Sequence, residues 1–127
     1  MTWNEVKQKW KRLHGSQEMR KQLKPEIYES WERCRHYNLS QYIRQHNGFC
    51  PDSEFKKILD DSKYLMETAI PVMENLLEFV RGTGFIVSLN DANCVALKII
   101  GDNESLEWAK RVDMVESTMG SEEKTGT

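Results

Sequence analysis

The stretch GTGFIVSLNDANCVALKIIGD, residues 82–102, decides the fold class of this chain. Its apolar residues form two short runs, 85–89 and 95–100, and the polar sequence between them is typical of a turn. The glycines near both ends favour breaks in regular structure. The stretch therefore predicts an antiparallel β-hairpin. On each strand, alternate residues are expected to share one face: Phe85, Val87 and Leu89 on the first, and Val95, Leu97 and Ile99 on the second.

A heptad pattern precedes the hairpin. Its two seams are Leu59, Met66, Met73 and Val80, and Phe55, Ser62, Ala69 and Leu76. This repeat predicts a long helix that packs along its length against other helices. Pro71 lies inside the pattern and cannot donate to the carbonyl of Glu67, so we expect the helix to be kinked or divided there. We expect the first seam to drive self-association, because each buried side chain of this kind stabilises by about 1.5–3 kcal/mol.

Shorter helices are predicted on both sides of this core. Thr2-Trp3-Asn4-Glu5 has the spacing of a capping box, and a stripe of Trp3, Val6, Trp10 and Leu13 follows it. Pro25 suits the first turn of a helix that presents Ile27, Trp31 and Cys34 and ends near Tyr37. A further short helix is expected after Asn103, and residues 116–127 are polar without periodicity.

These elements predict an α+β fold in two parts. Residues 1–51 form a helical amino-terminal extension, and residues 52–127 contain the long helix, the hairpin, a short helix and a polar tail. A two-stranded hairpin is marginally stable in water. We therefore expect this hairpin to pack on its own helices, to pair with another chain, or to join strands that this chain lacks.

The charge of the 127-residue chain is unevenly distributed. Residues 1–44 carry ten Lys and Arg against five Asp and Glu, whereas residues 45–127 carry eight against fifteen. The basic half is compatible with a small nucleic-acid-binding or transcription-associated adaptor. Its phosphate contacts would come from Lys7, Lys9, Lys11, Arg12, Arg20 and Lys21. Because glutamates interrupt these cations, a solvated helix face is the simpler interpretation.

Four stretches in the chain carry a further signal. They are PEIYESWERC at 25–34, AIPVMENL at 69–76, the hairpin sequence at 82–102, and GSEEKTGT at 120–127. In this order they resemble the amino-terminal region of the acetoin-catabolism-regulator family, whose members are activators that work with the sigma-54 form of RNA polymerase. Cys94 stands where that family has a turn glycine.

The resemblance implies the first part of a GAF domain, a sensor that holds small ligands between its sheet and the helices over it. Phe85, Val87, Leu89, Val95, Leu97 and Ile99 would then contribute one wall of a ligand site. It also implies that the chain stops before the remaining GAF strands, an ATPase domain and a helix-turn-helix. DNA and RNA polymerase would be contacted only through those absent regions, and the segment itself would sense signals and form a homo-oligomer.

No residue set favours catalysis, a cofactor or a metal. The sequence around Lys124 has its second glycine after the Lys-Thr pair, unlike a phosphate-binding loop. Two Cys and two His between residues 34 and 50 lack common zinc spacing. The acidic pairs at 60–61 and 122–123 are typical of solvated surfaces. With three widely spaced cysteines and no signal peptide or membrane span, we expect a cytoplasmic, non-enzymatic protein.

Overall fold

The computed structural model describes residues 2–5, 7–8, 11, 24–39 and 48–126. These residues belong to two compact units, one within residues 1–38 and one within residues 39–126. The sequence-based boundary after residue 51 stays a prediction. Several residues of the expected first helices lie outside the described residues: Val6, Trp10, Leu13, Gly15, Met19 and Leu23.

The first unit contains the predicted capping box. The Thr2 N–H donates to Glu5 Oε2 at 2.6 Å, and the Glu5 N–H donates to Thr2 Oγ1 at 3.3 Å. This reciprocal pair satisfies backbone donors that a helix amino terminus otherwise leaves unpaired. Helix α1 is Pro25–His36, with proline at its first position as expected, and its carboxyl-terminal cap is Tyr37.

The second unit begins with two consecutive helices, α2 (Asp52–Asp61) and α3 (Lys63–Val80). The division falls at Ser62, whose N–H donates to the carbonyls of both Ile58 and Leu59. Of the two outcomes expected at Pro71, a division is wrong, because α3 continues through this residue, and a kink stays a prediction. Pro71 removes one N–H from the helix, and packing of α3 on the hairpin compensates for that loss.

The predicted hairpin is confirmed. Strands β1 (Ile86–Asn90) and β2 (Ala96–Gly101) pair antiparallel. The register is regular from the Ile86–Gly101 pair onward and shifts between Leu89 and Asn90, which leaves Leu97 as an extra residue on β2. Helix α3 packs against both strands. The hairpin is therefore covered by its own helix, which is one of the three solutions that the sequence left open.

Two short segments extend the hairpin on the β2 side. Thr118 forms a β-bridge with Phe49, and Met119 forms one with Val95. Residues 117–119 thus lie between residues 48–50 and the start of β2. The sequence of residues 116–127 is polar and without periodicity, so it does not predict this pairing.

Two short helices complete the unit, α4 (Asn103–Arg111) and α5 (Glu122–Thr125). The sequence predicted α4 but not α5, which lies in the stretch expected to be an irregular tail. The buried apolar residues gather where the helices and bridges meet the start of β2: Cys50, Met73, Val95, Ala96, Leu97 and Ala109. The α+β class is as predicted. Among the helices that the structure describes, none combines the length and apolarity that crossing a membrane requires.

Candidate functional site

The six residues expected to form a ligand wall are divided by the strand register. Val87 lies opposite Ile100, and Leu89 lies opposite Lys98, so these two pairs share one face of the hairpin. Ile99 lies opposite Ser88 on the other face. Ligand binding by the full set stays a prediction, but the set does not line one continuous surface.

The remaining three members have different environments. Val95 and Leu97 are buried, at 2% and 1% exposure, where they contribute to the core. Phe85 precedes β1 and is largely exposed. The bulge at Leu97 explains part of this outcome, because one extra residue changes the alternation along a strand. A bulge has no clear signature in this sequence, so strict alternation could not have revealed it.

A cavity of about 210 Å³ lies beside β2, on the side of Ile99. Helix α4 and the loop that follows it supply the other walls. The lining residues are Ile99, Leu106, Ala109, Lys110, Met114, Val115 and Glu116. Of the six residues expected from the sequence, only Ile99 is among them. The sequence showed the apolar residues of α4, but nothing in it indicated that the loop folds back over β2.

The lining of the cavity is mostly apolar and includes two charged residues, Lys110 and Glu116. Glu116 Oε1 accepts a hydrogen bond from the Ile99 N–H at 3.2 Å and lies 3.8 Å from Lys98 Nζ. Lys110 is paired with Glu107 at 3.0 Å. Such a site suits a small, largely apolar molecule with one polar or positively charged group near Glu116, since few polar groups are needed to orient a ligand.

Thr118 holds the cavity loop in place. Its hydroxyl donates to the carbonyl of Asp113 at 3.0 Å and accepts from the Val115 N–H at 3.2 Å. The Met114 N–H donates to the carbonyl of Ala109 at 2.8 Å, which continues α4 into the loop. Thr118 itself is buried and bridges to Phe49, so the cavity wall is coupled to the segment before α2.

The heptad seam expected to drive self-association has a partner within this chain. Met73 is only 6% exposed, and Leu59, Met66 and Val80 are half-buried. Because α3 packs on both strands, burial of Met73 identifies the side of α3 that faces the hairpin. Self-association through this seam stays a prediction.

Other residues singled out by the sequence do not converge in the described parts of the chain. In residues 2–5, 7–8, 11, 24–39 and 48–126, no three His, Cys, Asp or Glu side chains are grouped to hold a metal. His46 and most of the basic set (Lys9, Arg12, Arg20 and Lys21) lie outside these ranges, while Lys7 and Lys11 are exposed. Asp60 and Asp61 end α2, and Glu122 and Glu123 begin α5.

Comparison with known proteins shows that this chain is similar to transcriptional regulators. One is a signal-transduction and transcriptional-control protein of Clostridium beijerinckii, 34% identical over 101 residues, which are 80% of this chain and 16% of that protein. Another is the acetoin dehydrogenase operon transcriptional activator AcoR of Bacillus subtilis strain 168, 28% identical over 105 residues, or 83% and 17% of the two chains. No family model and no solved structure matches the chain.

The chain matches only a small part of the length of these regulators. It spans about one sixth of the length of each of these two relatives. The similarity supports a regulatory role, and it agrees with the resemblance noted in the sequence at the level of transcriptional regulation.

Proposed function

We propose that this chain is a signal-sensing and self-associating segment of a bacterial transcriptional activator, of the GAF type and dependent on sigma-54. The observation that carries the sensing role is the cavity of about 210 Å³ beside β2 in a chain whose homologues are transcriptional regulators. DNA and RNA polymerase are contacted by other regions of such an activator, and this segment transmits the state of its cavity to them.

The cavity suits an effector of small size. Pockets for drug-sized ligands commonly occupy about 300–1,000 Å³, so this smaller space selects a compact molecule. Apolar contact with Leu106 and Met114 supplies affinity, and the Glu116 carboxylate discriminates by charge. A short-chain amine or alcohol fits these requirements better than a dicarboxylate, because the cationic lining residue Lys110 is paired with Glu107 at 3.0 Å, whereas the Glu116 carboxylate is 3.8 Å from its cation, Lys98, and repels a second carboxylate.

Hydrogen bonds and a β-bridge connect the cavity to the residues before α2. Its loop is joined through Thr118 to residues 48–50, which directly precede α2. A ligand that stabilises one position of the loop therefore biases the start of α2. That bias is the physical change by which an effector in the cavity alters the activator.

Titration with short-chain amines, alcohols and dicarboxylates, followed by NMR of the methyl groups of Ile99, Leu106 and Val115, tests the sensing role. We expect saturable shifts of these methyls with an amine or alcohol and none with a dicarboxylate. The variant Glu116→Gln keeps an oxygen acceptor for the Ile99 N–H and removes the charge, so it should weaken amine binding at least fivefold and leave alcohol binding nearly unchanged. Absence of cavity shifts with all three classes at millimolar concentration would contradict the proposal.

A further inference from the structure

A second apolar face of α3 is left exposed beside the face that packs on the hairpin. It consists of four residues, defined here as the outer stripe: Leu65, Val72, Leu76 and Phe79. At about 100° per residue these four positions fall within a sector of about 60° on the helix surface. Met73 lies about 90° from the centre of that sector, so the outer stripe and the buried seam are adjacent but distinct.

The four apolar side chains of the outer stripe are all exposed to solvent, and they form a patch rather than isolated surface positions. Val72 and Phe79 expose 65% and 85% of their surface, and Leu65 and Leu76 are also exposed. Together the four expose on the order of 300–400 Å² of apolar surface. Contiguous patches of this size on a monomer commonly mark an interaction site.

The charge distribution on α3 favours contact along this stripe. The four charged residues of α3, Lys63, Glu67, Glu74 and Glu78, lie more than about 120° from the centre of the stripe. Lys63 and Glu67 pair with each other at 3.8 Å, and Glu78 pairs with Arg81 at 2.7 Å. A second apolar helix could therefore pack on the stripe without burying a charge of α3.

We propose that the outer stripe is the surface through which two copies of this chain pair, with their α3 helices antiparallel about a two-fold axis near Val72. This inference rests on the self-association in the proposed function and names its surface. Leu65 and Phe79 are each seven residues from Val72, so an antiparallel copy sets Leu65 against Phe79 twice, as an isologous contact requires.

The exposed area agrees with a second copy as the occupant. A standard interface buries about 800 Å² per partner, and a little over half of it is apolar. The outer stripe supplies most of that apolar share, and the polar rim comes from residues beside it such as Thr68 and Asn75.

Sedimentation velocity of the full 127-residue chain, over a concentration series to high micromolar, tests the pairing. We expect a reversible monomer–dimer equilibrium. Val72→Glu and Phe79→Glu should each weaken the dimer at least thirtyfold, because each of the two copies then buries a new carboxylate in the interface. Far-UV circular dichroism should be unchanged, since both positions are on the surface.

Tyr64→Glu is the matched control. Tyr64 is 82% exposed on the same helix but lies about 90° from the centre of the outer stripe, on the side away from Met73. This variant should change the dimer dissociation constant less than threefold. Equal weakening by Tyr64→Glu and Val72→Glu would overturn the assignment to this stripe.

The outcomes separate this inference from the proposed function. A dimer that persists in Val72→Glu and Phe79→Glu overturns the surface and leaves self-association in place. A wild-type chain that stays monomeric, or that pairs only with a different protein, overturns self-association itself. Neither result affects the cavity titration, which reports on sensing alone.

Discussion

Cys94 shows how one residue can strain a turn that is otherwise well satisfied. Its φ of 63° lies in the left-handed region, where a side chain costs about 1–2 kcal/mol relative to glycine. The turn is held by Asp91, whose Oδ1 accepts from the N–H groups of Asn93 and Val95, both at 2.9 Å. The sequence resemblance marked this position as a usual glycine, and the backbone gives the physical reason.

Cys94→Gly is therefore expected to stabilise the chain. Relief of the left-handed strain exceeds the extra entropy that glycine gives the unfolded chain, so the free energy of unfolding should rise by about 0.5–1 kcal/mol. Urea unfolding measures this change. Cys94→Ala, which removes the thiol but keeps Cβ, should stay close to wild type, and a gain as large as that of glycine would show that strain is not the cause.

Cys50 is buried, whereas Cys94 is exposed. Burial, followed by the nearby carboxylates of Glu54 and Asp91, raises the pKa of the Cys50 thiol above its ordinary value of 9.0. Because only the thiolate reacts readily, Cys50 should be alkylated by iodoacetamide far more slowly than the exposed Cys94 near pH 8. Mass spectrometry of the labelled peptides measures the two rates.

The same pKa shift has a consequence for stability. A thiol that ionises less readily in the folded state contributes stability below the unfolded pKa, and this contribution is lost as pH rises above about 9. Cys50→Ala should therefore reduce the decline in stability at alkaline pH, and equal declines in the two proteins would contradict this account. As a control for the alkylation experiment, unfolding the chain in urea exposes Cys50, so the alkylation rates of Cys50 and Cys94 should then become similar.

At the scale of elements, Asp102 links the segment after β2 to the turn before β1. Its Oδ2 accepts a hydrogen bond from the Gly82 N–H at 2.5 Å, so the residue at the amino-terminal cap position of α4 also holds the turn after α3. Gly82 has a φ of 76°, which glycine adopts without strain. One carboxylate thus fixes the loop that leads into β1.

Asp102→Ala should loosen this loop. Loss of the charge-assisted bond to Gly82 is expected to cost about 1 kcal/mol, and Asp102→Asn, which keeps an oxygen acceptor, should cost less than half of that. Thermal unfolding gives the stability, and amide exchange of Gly82 gives the local effect. Exchange at Gly82 that is equally slow in Asp102→Ala and wild type would exclude this role.

Some of these elements could be predicted from the sequence, and others could not. The hairpin and α1 were predictable, because alternation, turn residues and a first-turn proline are local signals. The division at Ser62 could not be predicted, because Ser62 gives no strong signal, and the proline at 71 lies inside a helix that packs on the hairpin and continues despite the loss of one helical bond. The heptad seam identified an interaction surface of α3, but it could not distinguish a partner helix from the chain's own strands.

For the whole second unit, the decisive contacts are separated widely in sequence. The carbonyl of Ser117 accepts a hydrogen bond from the Cys50 N–H at 2.9 Å, and the carbonyl of Thr118 accepts one from the Ala96 N–H at 2.8 Å. Residues 117–119 are therefore hydrogen-bonded on both sides. Bridges of two or three residues have no periodicity, so their pairing cannot be read from the sequence. For the same reason the cavity could not be predicted, because its loop is held by Thr118 within this pairing.

Truncation tests whether this pairing holds the unit together. A chain ending at residue 116 loses the bonds to Cys50, Ala96 and Gly48, and each backbone bond contributes a net 0.5–1.5 kcal/mol. We expect it to be less stable by about 3 kcal/mol or more, with faster amide exchange at Ala96. A chain ending at residue 120 keeps these bonds and lacks only α5, so urea unfolding should place it within about 1 kcal/mol of the full chain. Equal stability of the two truncated chains would mean that the α3–hairpin packing is sufficient alone, and that the cavity loop is not coupled to the start of α2 through residues 117–119.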